Sequence, residues 1–123
     1  IARMKLGGVH HVSINVHDAD LVGRFYTDVL GLETLPRPDF PFKGLWLRAG
    51  GQQIHLIEVA SHVAPEGQHF AFQVDDIESV CAALTARGVT VSPPRTLPGA
   101  GRQAFFRDPS GNLIELNQPG AGA

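Results

Sequence analysis

The sequence predicts an α+β protein made of two repeated modules, each a strand, a helix and then three strands. Three observations predict it. First, the alternating run Val9-His10-His11-Val12-Ser13-Ile14-Asn15-Val16 has a second copy in Gln68-His69-Phe70-Ala71-Phe72-Gln73-Val74. Second, each copy leads into an Asp and a helical apolar pattern closed by a glycine. His11 and His69, Val16 and Val74, and Asp18 and Asp76 share one offset, and Gly31 and Gly88 depart from it by a single position. Third, each helix is followed by a proline-interrupted stretch and then two cleaner strands. Such a register over more than twenty residues marks an internal repeat of about half the chain.

With 123 residues the chain has the length of one domain with a sizeable core. It is read as a single domain over 1–123, with modules at about 8–60 and 67–118. Apolar residues make up 43%, charged residues 18%, and the formal net charge is −2. No basic excess exists to grip nucleic acid or an anionic membrane, so neither is expected as a partner. The lone cysteine, Cys81, excludes an intrachain disulfide and fits a reducing compartment. No apolar run reaches membrane-spanning length, and the first residues lack the order of a signal peptide. A cytoplasmic location is the expectation.

The first strand, 9–16, places Val12, Ile14 and Val16 on one face and His11, Ser13 and Asn15 on the other. An apolar row opposite a polar one predicts helices on one side of the sheet and a wet concavity on the other. Asp18 or Asp20 caps a helix with Leu21, Val22, Phe25, Val29 and Leu30 at helical spacing, and Gly31 stops it. Residues 33–43 carry Pro36, Pro38 and Pro41, which allows at best a broken edge strand plus a loop. Strands at 44–48 and 52–59 then form a hairpin through Gly50-Gly51. In the second of them, Ile54 and Leu56 face the helix, and Gln53, His55 and Ile57 face away.

The loop 60–67 is the seam. In the second module the strand 68–74 turns Phe70, Phe72 and Val74 toward a helix and His69, Ala71 and Gln73 away. Asp75 and Glu78 have capping-box spacing, and Ile77, Val80, Cys81 and Leu84 form the apolar stripe that Gly88 ends. A proline-interrupted segment at 91–98 mirrors 33–43. The strand 102–107 then turns through Asp108-Pro109-Ser110-Gly111-Asn112 into 113–117, where Ile114 and Leu116 oppose Glu115. A half-sheet with one helix does not close over its own polar face. Two such sheets facing each other, in one chain or across a dimer, would enclose a cavity.

The ionisable residues on the polar faces are His11 and His55 in the first module and His69 and Glu115 in the second. They are matched: His11 repeats as His69, and His55 repeats as Glu115. A single strand histidine is more often structural than ligating, but four coincidences at repeat-related positions favour a metal. Three imidazoles and one carboxylate suit a divalent ion. Trp46, Arg48, Gln53, Phe105 and Arg107 have the parity to line the same cavity as substrate-binding residues, with Arg48 or Arg107 meeting an anion. His10, His17 and His62 receive no role. Cys81, Phe25 and Tyr26 are read as packing, and no phosphate-cradling loop or nucleophile elbow is present.

His11 in VHHVSINV, the helix end FYTDVLGL, His69 in GQHFAFQVDD and Glu115 in DPSGNLIEL resemble the vicinal oxygen chelate superfamily of glyoxalases, bleomycin-resistance proteins and extradiol dioxygenases. The similarity covers nearly the whole chain. It implies paired modules curved into a cup around one divalent metal ion (Zn, Ni, Co, Mn or Fe), often in a homodimer. It also implies that His11, His69 and Glu115 are ligands, with His55 at the fourth position. Glyoxalase I-like members usually carry Glu at that position, and this chain also lacks an evident basic set for glutathione carboxylates. The implied activity is isomerase or lyase chemistry on a small substrate chelating the metal through vicinal oxygens, with Glu115 as the catalytic proton shuttle. Two alternatives stand beside it. One is an extradiol-type dioxygenase using His11, His69 and Glu115 on iron with His55 as acid–base residue. The other is a metal-free ligand-binding protein of the bleomycin-resistance kind.

Overall fold

A computed structural model describes residues 2–120. Its contacts divide the chain into two compact units, Ile1–Ser61 and His62–Ala123. Unit 1 contains strand β1 (His11–Val16), helix α1 (Ala19–Arg24), β2 (Thr34–Leu35), β3 (Gly44–Ala49) and β4 (Gln52–Glu58). Unit 2 contains β5 (His69–Gln73), α2 (Ile77–Ala86), β6 (Arg95–Leu97), β7 (Gly101–Arg107) and β8 (Leu113–Gln118). Each unit is α+β with one four-stranded mixed sheet, ordered β1-β4-β3-β2 in the first and β5-β8-β7-β6 in the second. In both, the opening strand pairs parallel with the closing one, and the other pairings are antiparallel.

The apolar row of each sheet meets its helix. In unit 1, Val16, Val22, Tyr26, Leu47, Ile54 and Leu56 are buried; in unit 2, Ile77, Leu84, Ala104, Phe106, Ile114 and Leu116 are. Each large side chain so placed contributes about 1.5–3 kcal/mol of transfer free energy. α1 runs close to the sheet because residue 23 is glycine. A Cβ there would stand 3.0 Å from a Leu45 methyl.

The helix starts are built by the same device twice. Asp18 caps α1, accepting from the N–H groups of Asp20 and Leu21, and Asp76 caps α2, accepting from Ser79 N–H. A side chain near the end of the closing strand then takes the next free donor. Glu58 Oε2 accepts from Ala19 N at 3.0 Å, and Gln118 Oε1 accepts from Ile77 N at 2.9 Å. Each helix is thereby tied to its closing strand through orphan N–H groups.

Two local expectations change. The cap of the second helix is Asp76, not Asp75. Ile77, fully buried, begins the helix, and Glu78 is turned to an ion pair with Arg102 rather than back onto the cap. The first helix does not stay α-helical to Gly31. It widens into a π-helical turn over Phe25–Val29, in which Leu30 N donates to Phe25 O at 3.1 Å. Tyr26 leaves this turn fully buried, with Phe25 edge-on at 5.6 Å. Gly31 still ends the segment at φ +75°, the left-handed conformation that a side chain disfavours.

Candidate functional site

On the face of unit 1 opposite α1, strand pairing sets His11 beside Gln53, and both Ser13 and Trp46 beside His55. Three rings stack there. Trp46 lies on His55 (centroids 4.1 Å apart, planes 6° apart), and His55 lies on His11 (4.1 Å, 16°). His55 is only 7% exposed, and its Nε2 donates to Gln53 Oε1 at 2.8 Å. Burial, together with the nearby His11, His10 and Arg37 charges, holds its pKa below the ordinary 6.5. That direction favours the uncharged imidazole, the form that can ligate a metal. His10 Nδ1 and His11 Nδ1 are at hydrogen-bond distance, 2.9 Å.

Beside this stack is a cavity of about 550 Å³ in which Trp46, Gln53 and His55 meet Arg37, Phe40 and Phe42. Phe40 and Phe42 stack at 5.2 Å, and Phe40 stands 6.1 Å from Trp46. The Arg37 guanidinium carbon lies 4.9 Å and 5.1 Å from the two phenyl centroids, and its Nη2 donates to Phe42 O at 2.8 Å. Arg37, Phe40 and Phe42 were not singled out from the sequence. They sit in the proline-rich stretch read as an edge, where strand parity gives no guide. The signal was there in composition: an Arg and two Phe within six residues of a loop, more aromatic surface than a solvated loop needs. Arg48 is turned elsewhere, into an ion pair with Glu33 at 3.1 Å.

On the corresponding face of unit 2, Glu115 lies across from Ala71 and Phe105, and His69 is paired with Leu113. His69 Nδ1 is 2.9 Å from Gly67 O, which can only accept, so Nδ1 carries a proton. Its Nε2 then faces Glu115 Oε1 at 3.1 Å, and Oε2 accepts from Asn117 Nδ2 at 2.9 Å. Glu115 is 6% exposed. A neutral imidazole would here present a lone pair to a carboxylate, so a proton or another cation must sit where the two meet. Two ligand atoms about 2.1 Å from one ion and at right angles stand about 3.0 Å apart. The observed 3.1 Å fits that arrangement, and a backbone carbonyl on the far nitrogen is the usual support of a ligating histidine. Phe105 meets His69 edge-on at 5.6 Å, and Arg107 donates to Gly111 O.

The four predicted ligands are thus brought together as two pairs, His11 with His55 and His69 with Glu115. Among the described residues no three His, Cys, Asp or Glu side chains are grouped so as to hold a metal ion. His62, given no role, bonds through Nε2 to Asn112 Oδ1 at 2.9 Å.

Two sheets of order first-last-third-second, each with a ligand-type pair on the face away from its helix, set the terms for comparison. The sequence model of the Glyoxalase/Bleomycin resistance protein/Dioxygenase superfamily matches residues 8–116. The chain belongs to this superfamily. It is 33% identical to the lactoylglutathione lyase of Haemophilus influenzae over 86% of its length and 88% of that protein's. Longer plant relatives also match, of which the chain spans less than half. Among solved structures it resembles the glyoxalase family protein from Enterococcus faecalis, with 31% identity and a TM-score of 0.79 over 90% of this chain and 97% of that one. It also resembles TnmS3, an antibiotic binding protein from Streptomyces sp. CB03234, with 32% identity and a TM-score of 0.79 over 95% and 99%. No helix among the described residues is long and apolar enough to cross a membrane.

Proposed function

We propose that the protein is a divalent-metal-dependent enzyme catalysing isomerase or lyase chemistry on a small substrate with vicinal oxygens. His11, His55, His69 and Glu115 are the proposed ligands. The observation that carries this reading is the His69–Glu115 contact, in which an imidazole protonated on Nδ1 turns Nε2 to a buried carboxylate at 3.1 Å. When bound, the ion supplies Lewis acidity that favours negative charge on a substrate oxygen. The rest falls to the protein. The Glu115 carboxylate, 6% exposed and turned with Oε1 to His69, is the group placed to hold a proton in transit. Asn117 keeps the carboxylate from turning, since its Nδ2 donates both to Glu115 Oε2 and to Ala100 O. Kinship with the Haemophilus influenzae lyase supports the reaction class.

Metal analysis of protein purified without a chelating tag tests the proposal. Alanine at His11, His55, His69 or Glu115 should each abolish stoichiometric metal, and Asn117→Ala should weaken metal affinity about 10–100-fold. Four alanine variants that hold metal as well as the parent would end the metal reading. Oxygen uptake with a catechol after anaerobic iron loading would replace the isomerase reading with the dioxygenase one. A second reading, a ligand-binding protein, is favoured by the aromatic cavity of unit 1 and by likeness to TnmS3. We also propose a homodimer, to be read from light scattering.

A further inference from the structure

The cavity of unit 1 has a wall of aromatic rings and one guanidinium, that of Arg37. Phe40, Phe42 and Trp46 supply its rings, with the first two 38% and 44% exposed, large for phenyl groups facing nothing but water. No Asp or Glu lines it. The other cations nearby are neutralised: Lys43 by Asp20 at 2.7 Å and Arg48 by Glu33 at 3.1 Å. Arg37 differs. Among the described residues no carboxylate pairs with it. Its guanidinium is held instead by two phenyl faces and one backbone carbonyl, which orients it and leaves donors over.

We propose that this cavity selects a planar aromatic carboxylate, its ring against Phe40, Phe42 and Trp46 and its acid group on the Arg37 guanidinium. This ligand class rests on the reading that substrate is held on the His11–His55 face, which borders the same cavity. About 550 Å³ lies within the roughly 300–1,000 Å³ of pockets that take small molecules. Ring walls favour a flat π-face over a puckered aliphatic ring, by roughly two- to tenfold per good contact. A planar fork meets a carboxylate through two parallel N–H···O bonds, so the acid is preferred over its neutral amide by roughly ten- to a hundredfold.

The whole chain, freed of metal with a chelator, is titrated with 2-naphthoate, 2-naphthamide and cyclohexanecarboxylate. Binding is followed by calorimetry and by the fluorescence of Trp46, the chain's only tryptophan. The expected order has 2-naphthoate tightest, by about tenfold or more over either of the others. In Arg37→Gln the acid should fall to the level of the amide, while amide binding persists and so reports an intact cavity; Arg37→Lys should keep part of the preference. Phe40→Leu should narrow the gap between 2-naphthoate and cyclohexanecarboxylate. Equal binding of acid and amide by the parent, or no saturable binding of 2-naphthoate, overturns the proposal. Metal content is measured on the same preparation as purified without a chelating tag, before the chelator is added. A parent that selects 2-naphthoate but holds no metal sinks only the metal reading, and one that holds metal without that selectivity sinks only this one.

Discussion

Replacing Asp108 by alanine should destabilise the protein by about 3 kcal/mol or more, because at least three hydrogen bonds end on one buried carboxylate. Asp108 is 4% exposed. Its Oδ1 accepts from Ser110 N at 2.8 Å and Asn112 N at 3.0 Å, and its Oδ2 accepts from Asn112 Nδ2 at 2.9 Å. Each bond contributes about 1 kcal/mol net, and the donors left behind are half-buried, so water replaces the acceptor only in part. Asp108→Asn keeps an acceptor for the two backbone donors but sets an amide against the Asn112 amide, so about 1–2 kcal/mol is expected. Urea denaturation with a fitted slope is the assay, and alanine should cost more than asparagine at an unchanged slope. The turn matters to function because it sets the β7–β8 register, in which Glu115 stands across from Phe105. An alanine variant within about 0.5 kcal/mol of the parent, the range of an ordinary surface change, would refute the hydrogen-bond reasoning.

Gly44→Ala tests the seat of Arg37. A Cβ there would fall 2.3 Å from Leu56 O, so β3 must part from β4, and 3.0 Å from Arg37 Nη2, so the guanidinium must also give way. A loss of about 2 kcal/mol in stability with weakened 2-naphthoate binding is expected; unchanged values of both would refute the close approach. Asp18 sets an acid limb. Its bond from Leu21 N–H, with that from Asp20, holds its carboxyl below the ordinary 3.8. The unfolded chain therefore takes up this proton first, and the cap's contribution is present above 3.8 and lost as pH falls through the lowered value. Asp18→Asn should flatten that limb; parallel acid profiles for parent and variant would count against the cap.

How far the sequence could be read depended on whether a pattern was periodic. Alternation placed Ile54 and Leu56 under the helix and His55 opposite, and those strands have that parity. The repeat likewise put His69 and Glu115 on one face, where they touch. What escaped had no period. Arg37, Phe40 and Phe42 reach the cavity from a proline-rich segment whose course is set by ring contacts and by the gap at Gly44. Arg48 had the right parity, yet an exposed side chain of that length goes to the nearest opposite charge, here Glu33. The π turn was also hidden, since its apolar spacing is compatible with an ordinary helix. The reuse of Glu58 and Gln118 as helix caps depends on parallel pairing of first and last strands, which spacing alone does not reveal.

That parallel pairing shapes how the molecule comes into being. Among the described residues β1 has its main-chain strand partner only in β4, and β5 only in β8, so neither sheet is complete until its last strand has left the ribosome. The hairpins form early and cheaply, whereas the opening strand and its histidine wait on the longest loop closure in the unit. His11 gains its neighbour His55, and His69 its neighbour Glu115, in that same final step. A chain cut short before either closing strand would therefore lose a sheet partner and one member of the His11–His55 or His69–Glu115 pair together.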